Sequence, residues 1–262
     1  MKRPNVLPAA LLAIPLAVPV FAQPQIGGGT CSSATLNGAY SFLLAGRAIG
    51  SPASFSAIEQ GIGVATFDGL SSVTFNLTTN TNKTTGTPQT LQGTYSIQAN
   101  CVGTINLTSG DTGTFILGAY DQGVDYFFTG QDGTYSITGS GNTLPTTACS
   151  NSTFNGTYSF NGNGYQLSSG TVSTANEISG LANFDGAGNI TANWYVSVKG
   201  STASASVKGT YTVASGCTAT ATVVDGSNNS YSLVFTITDA SGNFSFTGAN
   251  PTILFSGSGR VE

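Results

Sequence analysis

The chain has no histidine, and its one methionine is Met1. Without histidine, Ser-His-Asp and Cys-His nucleophilic catalysis cannot be assembled, and the commonest side-chain ligand of transition metals is missing. Charge is scarce too: 7% of residues are charged, against about 25% in ordinary soluble proteins. Beyond Ala22 no apolar run approaches the roughly 20 residues that a membrane-spanning helix needs. No stretch there carries the periodicity of an amphipathic helix. Ser, Thr, Asn and Gly supply the polar surface instead.

The N-terminus accounts for two of the few cations. Lys2 and Arg3 precede an apolar stretch from Val6 to Phe21 that ends in Val20-Phe21-Ala22. A basic start, a short apolar middle and small residues two apart at the end make an export signal. Pro8, Pro15 and Pro19 interrupt the stretch, which argues against a membrane anchor. Cleavage is expected after Ala22, with residues 23–30 as a linker. Gly28-Gly29-Thr30 before Cys31 lacks the apolar residue of a lipoprotein signal. Loss of Lys2 and Arg3 leaves five basic residues against eleven acidic ones. A nucleic-acid partner would need a basic face, and an anionic membrane surface would need clustered cations. The chain offers neither. The expected location is extracellular or periplasmic, with no membrane insertion after cleavage.

What the chain does contain is one unit written twice. Cys31-x4-Leu36-Asn37-Gly38-Ala39-Tyr40-Ser41-Phe42 matches Cys149-x4-Phe154-Asn155-Gly156-Thr157-Tyr158-Ser159-Phe160. Phe67-Asp68-Gly69 recurs as Phe184-Asp185-Gly186, and Gly93-Thr94-Tyr95 as Gly209-Thr210-Tyr211. Cys101 then answers Cys217, and Gly139-Ser140-Gly141 answers Gly257-Ser258-Gly259. A nearly constant offset across so many positions marks a duplication. The units are placed at 31–144 and 145–262, with Pro145 at the boundary.

Within each unit Thr, Val, Ile, Phe and Tyr alternate with Ser, Asn and Gly, the period-two signature of half-buried strands. Eight strands are expected per unit: near 39–46, 60–67, 71–79, 91–99, 103–109, 114–121, 124–130 and 133–140, then 157–162, 178–185, 189–198, 209–215, 218–225, 231–238, 243–248 and 252–258. Connections after even-numbered strands are tight and rich in Asp, Asn and Gly. Those after strands one and three read as long polar loops, near 47–59 and 80–90, then 163–177 and 199–208. One end should be closed and the other should carry loops. The expected fold is therefore all-β: two tandem eight-stranded antiparallel up-and-down barrels, with two-sheet sandwiches as the alternative. Low charge favours closure, because an open edge without Lys or Glu invites edge-to-edge pairing.

Four cysteines in an exported chain point to two disulfides, and three pairings exist. The repeat selects Cys31–Cys101 and Cys149–Cys217, one per unit; Cys31–Cys149 with Cys101–Cys217 would instead tie the units together. The wide spacing does not fit a zinc site, and nothing calls for a metal or cofactor.

Candidate site residues are few. Asp68 and Asp185 read as turn residues that bond their own backbone. Asp121 and Asp125 flank another turn and would have to act as a carboxylate pair, but the second copy carries Asn243 beside Asp239. Glu59 and Glu177 stand near the ends of the first long loops, one position out of register with each other. Trp194 shares a strand face with Ile190, Ala192, Val196 and Val198 and should point inward. Tyr195 should be exposed. Glu59, Glu177, Trp194 and Tyr195 are the binding candidates, and no residue is assigned a catalytic role.

Two resemblances bear on these motifs. Gly38-x-Tyr40 and Gly156-x-Tyr158 at the start of strand one, with Arg260 after the last strand, resemble the Gly-x-Trp opening and closing Arg of the lipocalin and avidin superfamily. That likeness implies a barrel and leaves the ligand open. Leu36-Asn37-Gly38-x-Tyr40-x-Phe42, Phe184-Asp185-Gly186-x-Gly188-Asn189 and Gly209-Thr210-Tyr211-Thr212-Val213 before Cys217 are similar to uncharacterised secreted bacterial β-proteins, a group that implies no activity. The leading expectation is a secreted, non-catalytic binding module whose long-loop ends recognise a small molecule, a glycan or a surface partner. A structural or adhesive surface protein is the alternative, and a carboxylate-based hydrolase comes third.

Overall fold

The computed structural model describes residues 30–49, 57–82 and 86–262; the expected leader and its cleavage point lie outside them. Sixteen strands form two closed, antiparallel eight-stranded barrels. Barrel 1 runs β1 (Asn37–Ala48), β2 (Ile58–Asp68), β3 (Ser72–Thr81), β4 (Pro88–Ile97), β5 (Val102–Ser109), β6 (Gly113–Tyr120), β7 (Asp125–Asp132) and β8 (Tyr135–Thr143). Barrel 2 runs β9 (Asn155–Ser168), β10 (Thr171–Asp185), β11 (Asn189–Val198), β12 (Ser201–Val213), β13 (Thr218–Asp225), β14 (Ser230–Ile237), β15 (Phe244–Asn250) and β16 (Ile253–Val261). Each barrel closes by pairing its first strand with its last, Tyr40 opposite Thr143 and Tyr158 opposite Val261. The sandwich alternative falls with that closure.

The duplicated motifs are the parts that seal the even-turn end. In each unit the segment before the first strand makes a short 3-10 turn, Ser33–Thr35 or Asn151–Thr153. It sets Leu36 or Phe154 into the floor, fully buried. The Tyr95 hydroxyl lies 2.8 and 2.9 Å from the carbonyl oxygens of Ser33 and Leu36. Tyr211 repeats this with Asn151 and Phe154, at 3.0 and 2.8 Å. Phe67 sits among Tyr40, Tyr95 and Tyr126 with ring centroids 4.9 to 5.5 Å away. Cys31–Cys101 and Cys149–Cys217 pin the same segments to the turns after β4 and β12. Gly38 and Gly156 begin the first strands with φ of +104° and +122°, where only glycine is unstrained. Gly141 and Gly259 make room for a ring: a Cβ would stand 2.3 Å from Tyr126 and 2.2 Å from Phe244.

Asp68 and Asp185 are turn residues. Oδ1 of Asp68 accepts the N–H groups of Leu70, Ser71 and Ser72, and Asp185 accepts those of Ala187 and Asn189. The backbone donors hold the Asp68 carboxyl below the ordinary range, and at Asp185 the Asn189 side-chain amide, ahead of the backbone N–H groups, brings it to about 2.

The long loops expected in the second unit are not loops. Residues 163–177 belong almost entirely to β9 and β10, strands of 14 and 15 residues joined by Ser169-Gly170. Residues 199–208 are a second tight turn, Lys199-Gly200, and the start of β12. Both dipeptides have positive φ at each position, +51° and +73°, then +49° and +79°, as a two-residue type I′ hairpin requires. Ser, Thr, Asn and Ala dominate these extensions, and their few large apolar residues, Tyr165, Leu167 and Val172, gather around Ile58 of barrel 1 and not in the core of their own barrel, so they read as coil.

The barrels lie side by side with their odd-turn ends facing the same way. The outer face of β2, Ile58, Gln60 and Ile62, is buried against barrel 2. Ile58 packs with Ala249, Leu254, Tyr165, Leu167 and Val172. Asn80 Nδ2 donates to Thr247 Oγ1 at 3.2 Å, and Asn82 Nδ2 to the Gly170 carbonyl at the β9–β10 hairpin tip at 2.8 Å.

Two stability outcomes follow. Replacing Cys149 and Cys217 together by Ser opens a bridge spanning 68 residues and should lower barrel 2 stability by about 2–5 kcal/mol. Trp194, the one tryptophan, lies inside that barrel, so its fluorescence in a urea titration reads the shift. Tyr40 donates its hydroxyl to the Gly123 carbonyl at 2.8 Å, whereas the buried Tyr126 hydroxyl has no partner. Tyr40→Phe should therefore cost about 1 kcal/mol and Tyr126→Phe should be neutral or stabilising by a similar amount, checked by calorimetric melting.

Candidate functional site

Closure turns every second side chain outward, and where the two barrel walls face each other these outward residues line a groove of about 1400 Å³. Barrel 1 contributes Thr138, Ser140 and Asn142 from β8 and Leu43 and Ala45 from β1. Barrel 2 contributes Asn161 and Asn163 from β9, Ser256 and Ser258 from β16, and Glu177 and Ser179 from β10. Tyr195 and Ser197 from β11 form part of the wall, cross-strand partners of Ser179 and Glu177. Arg260 lines it as well. Tyr195 is 55% exposed, an aromatic face held on a rigid strand. The surface is dense in neutral donors and acceptors and poor in charge. Asp125 and Asp239 reach the groove but are engaged: Asp125 bonds Asn142, and Asp239 caps the turn to Asn243.

The barrel interiors offer much less space. Trp194 is 5% exposed and points into barrel 2, edge-on to Tyr231 and Phe255 at 5.0 and 6.0 Å. The free space beside it is about 30 Å³. It is a core residue, and the interior is filled.

Barrel 1 keeps a cavity of about 50 Å³ near its odd-turn end, lined by Leu44, Leu77, Phe128, Ile137 and three acids, Glu59, Asp111 and Asp132. Glu59 points inward from β2 and is only 9% exposed. It shares a hydrogen bond with Thr79, while its Oε2 has no partner. Burial first, and then the negative fields of Asp132 and Asp111, raise its carboxyl to about 7. Asp111 and Asp132 bond nearby backbone N–H groups through Oδ1. The cavity is far smaller than the 300–1,000 Å³ of ordinary ligand pockets, so no sugar ring could be placed between these acids for hydrolysis.

The four candidate binding residues thus separate. Glu177 and Tyr195 meet in the groove, Trp194 is core, and Glu59 is inside barrel 1. The register difference between the glutamates explains their split. Glu59 lies opposite Gly46, and the matching pair in barrel 2 is Asn176 opposite Gly164. Asn176 is buried with neither side-chain polar atom bonded, whereas Glu177 faces outward. Asp111, Asp132 and the Ser/Asn rows of the groove were not singled out from sequence. Gln60 and Ile62, buried at the interface, match Glu177 and Ser179 of the other copy; the exchange of a charged for a neutral residue and of Ser for Ile was the available signal.

No family model and no curated protein matches the chain. Among solved structures it is similar to the isotype 1 transferrin binding protein B from serogroup B Neisseria meningitidis, at 8% identity and a TM-score of 0.31. The match covers 77% of this chain and 66% of that one, just under two thirds of its length. It is also similar to a putative AttH from Nitrosomonas europaea, at 11% identity and a TM-score of 0.23, over 85% of this chain and 92% of that one. At these scores neither likeness bears on function.

Glu59 has a measurable pH signature. Its folded-state pKa lies above the unfolded value, so the folded protein holds the proton over the window between about 4.5 and about 7. Its contribution to stability is fully present below the unfolded value and is lost as pH rises through the folded one. The loss should be about 3 kcal/mol across that window. Glu59→Gln should flatten this part of the profile, measured as urea midpoints from pH 4 to pH 8.

Proposed function

We propose that the chain is an exported binding module whose recognition surface is the groove between its two barrels, and that its ligand is a neutral, hydroxyl-rich chain such as a glycan. The observation that carries this reading is the groove itself: about 1400 Å³ of rigid β-surface lined by Ser, Asn and Thr with one exposed aromatic ring. Neutral hydroxyls need many well-placed donors and acceptors and little charge, which is what the wall supplies. Tyr195 offers a flat apolar face for a sugar ring, with a polar tip. Glu177 beside it would accept from ligand hydroxyls. The two disulfides, and the lack among the described residues of a helix long and apolar enough to cross a membrane, fit a role outside the cytoplasm. The odd-turn ends do not carry the reading in barrel 2, where tight hairpins replace the expected loops.

A structural or adhesive role is the second reading, and the filled interior of barrel 2 favours it. Calorimetric titration with neutral oligosaccharides of four to six units separates the two. The binding reading predicts that at least one is bound and that Tyr195→Ala weakens it tenfold or more without changing the melting temperature. No binding by any of them, with concentration-dependent self-association instead, would favour the structural role.

A further inference from the structure

Glu59 stands apart from the groove and needs its own explanation. A carboxyl on the inner face of a barrel, among Leu44, Leu77 and Ile137, costs stability when ionised unless a positive charge meets it. The described protein supplies none on that inner face. The groups that face Glu59 from the surrounding elements are Thr79 on β3, Gln89 on β4, whose amide donates to Thr79 Oγ1, Asp111 between β5 and β6, Asp132 at the end of β7 and Tyr135 at the start of β8. Arg47 on neighbouring β1 is exposed, on the opposite face of that strand from Gly46, which lies across from Glu59. Among the described residues every ionisable neighbour inside is therefore acidic or phenolic. Oε2 is an acceptor without a donor, aimed into a cavity beside the Gly46 backbone, where an added Cβ would stand 3.3 Å from it.

We propose that this end of barrel 1 is a second binding site, and that it takes a primary alkylammonium group: the charge on Glu59 Oε2 under the fields of Asp111 and Asp132, and a few methylenes against Leu44, Leu77 and Ile137. Three features select that chemistry. An ammonium brings three N–H donors and no acceptor, matching a site with an open carboxylate oxygen. The lining beneath the acids is apolar, so the cation must carry carbon. About 50 Å³ is room for only a few water-sized groups, which the ammonium and first methylenes of a primary alkylammonium fill and a quaternary one exceeds. A divalent metal fits less well: no three acidic side chains among the described residues stand close enough to share one ion, and calcium takes six to eight oxygen ligands. Barrel 2 has Asn176 at the matching position, a neutral amide, so the site belongs to barrel 1 alone.

The same ammonium could arrive on a free amine or on a lysine side chain, and titration of the full chain by nuclear magnetic resonance distinguishes them. The probes are n-butylammonium chloride, Nα-acetyl-lysine N-methylamide and, as the uncharged control, n-butanol. At pH 8 n-butylammonium should bind at least tenfold more tightly than n-butanol. Its affinity should fall about tenfold at pH 6, as Glu59 takes up its proton. Tighter binding of the lysine amide than of n-butylammonium would assign the site to a protein-borne amine, and weaker binding to a free one; both keep the site. Glu59→Gln removes the ionised carboxylate and should bring n-butylammonium down to the affinity of n-butanol, while Glu177→Gln in the groove should leave it unchanged. Equal binding of n-butylammonium and n-butanol to the unaltered protein, binding independent of pH, or no binding of either amine at millimolar concentration would each overturn the proposal. None of these results depends on whether the groove binds a glycan.

Discussion

Each barrel depends on the sealing of one end. An up-and-down barrel of eight strands is open at both ends until something covers them, and here the covering piece is the chain immediately before the first strand. Tyr95 and Tyr211 hold its carbonyl oxygens, Leu36 and Phe154 fill the space below, and a disulfide ties it to the turn after the fourth strand of each barrel. The aromatic cluster above packs edge-on around Phe67 and Phe184. With that end filled and the strand edges paired into a closed ring, the outer walls are free of the hazard of unpaired edges. They can then be nearly uncharged, which makes a neutral, hydrogen-bonding groove affordable.

The two copies share a frame and differ in their outer and inner faces. On the second strand of barrel 1, Ile58, Gln60 and Ile62 point outward and are buried against barrel 2; the matching residues of barrel 2, Ala175, Glu177 and Ser179, lie on the free side, with Glu177 and Ser179 in the groove wall. One copy has become the docking face and the other the exposed one, so identical barrels need not associate symmetrically. Inside, the position occupied by Glu59 in one barrel and Asn176 in the other is polar and incompletely bonded in both. Only the glutamate can carry charge, and its neighbours Asp111 and Asp132 make that charge harder to hold.

Much of this was legible in the chain. Repeated Phe-Asp-Gly, Gly-Thr-Tyr and Gly-Ser-Gly triplets, each at a common offset, locate the turns, the floor tyrosines and the glycines under the rings. The one-per-unit cysteine pairing followed from the same repetition. The long strands of barrel 2 were not legible, because β9, β10 and β12 extend beyond the core mostly as Ser, Thr, Asn and Ala, and their few apolar residues, Tyr165, Leu167 and Val172, pack around a residue of the other barrel, so little of the core-facing alternation is there to read. Ser169-Gly170 and Lys199-Gly200 were the clue, as dipeptides suited to type I′ turns.

The sequence by itself determined the strand count and the duplication, because both rest on local period and on motifs written twice. Closure was decided by the pairing of first strand with last, which leaves no trace in local alternation. The sequence also determined that Trp194 and Tyr195, adjacent in the chain, face opposite ways, since side chains alternate along a strand. Only the tertiary structure decided which outer wall meets the other barrel, because Ile58 and Ile62 could equally have been exposed apolar residues. Only it decided that Glu177 looks into a groove while Glu59 looks into a cavity. One position of register separates the two glutamates, and a shift of one residue along a strand moves a side chain from one face of the sheet to the other.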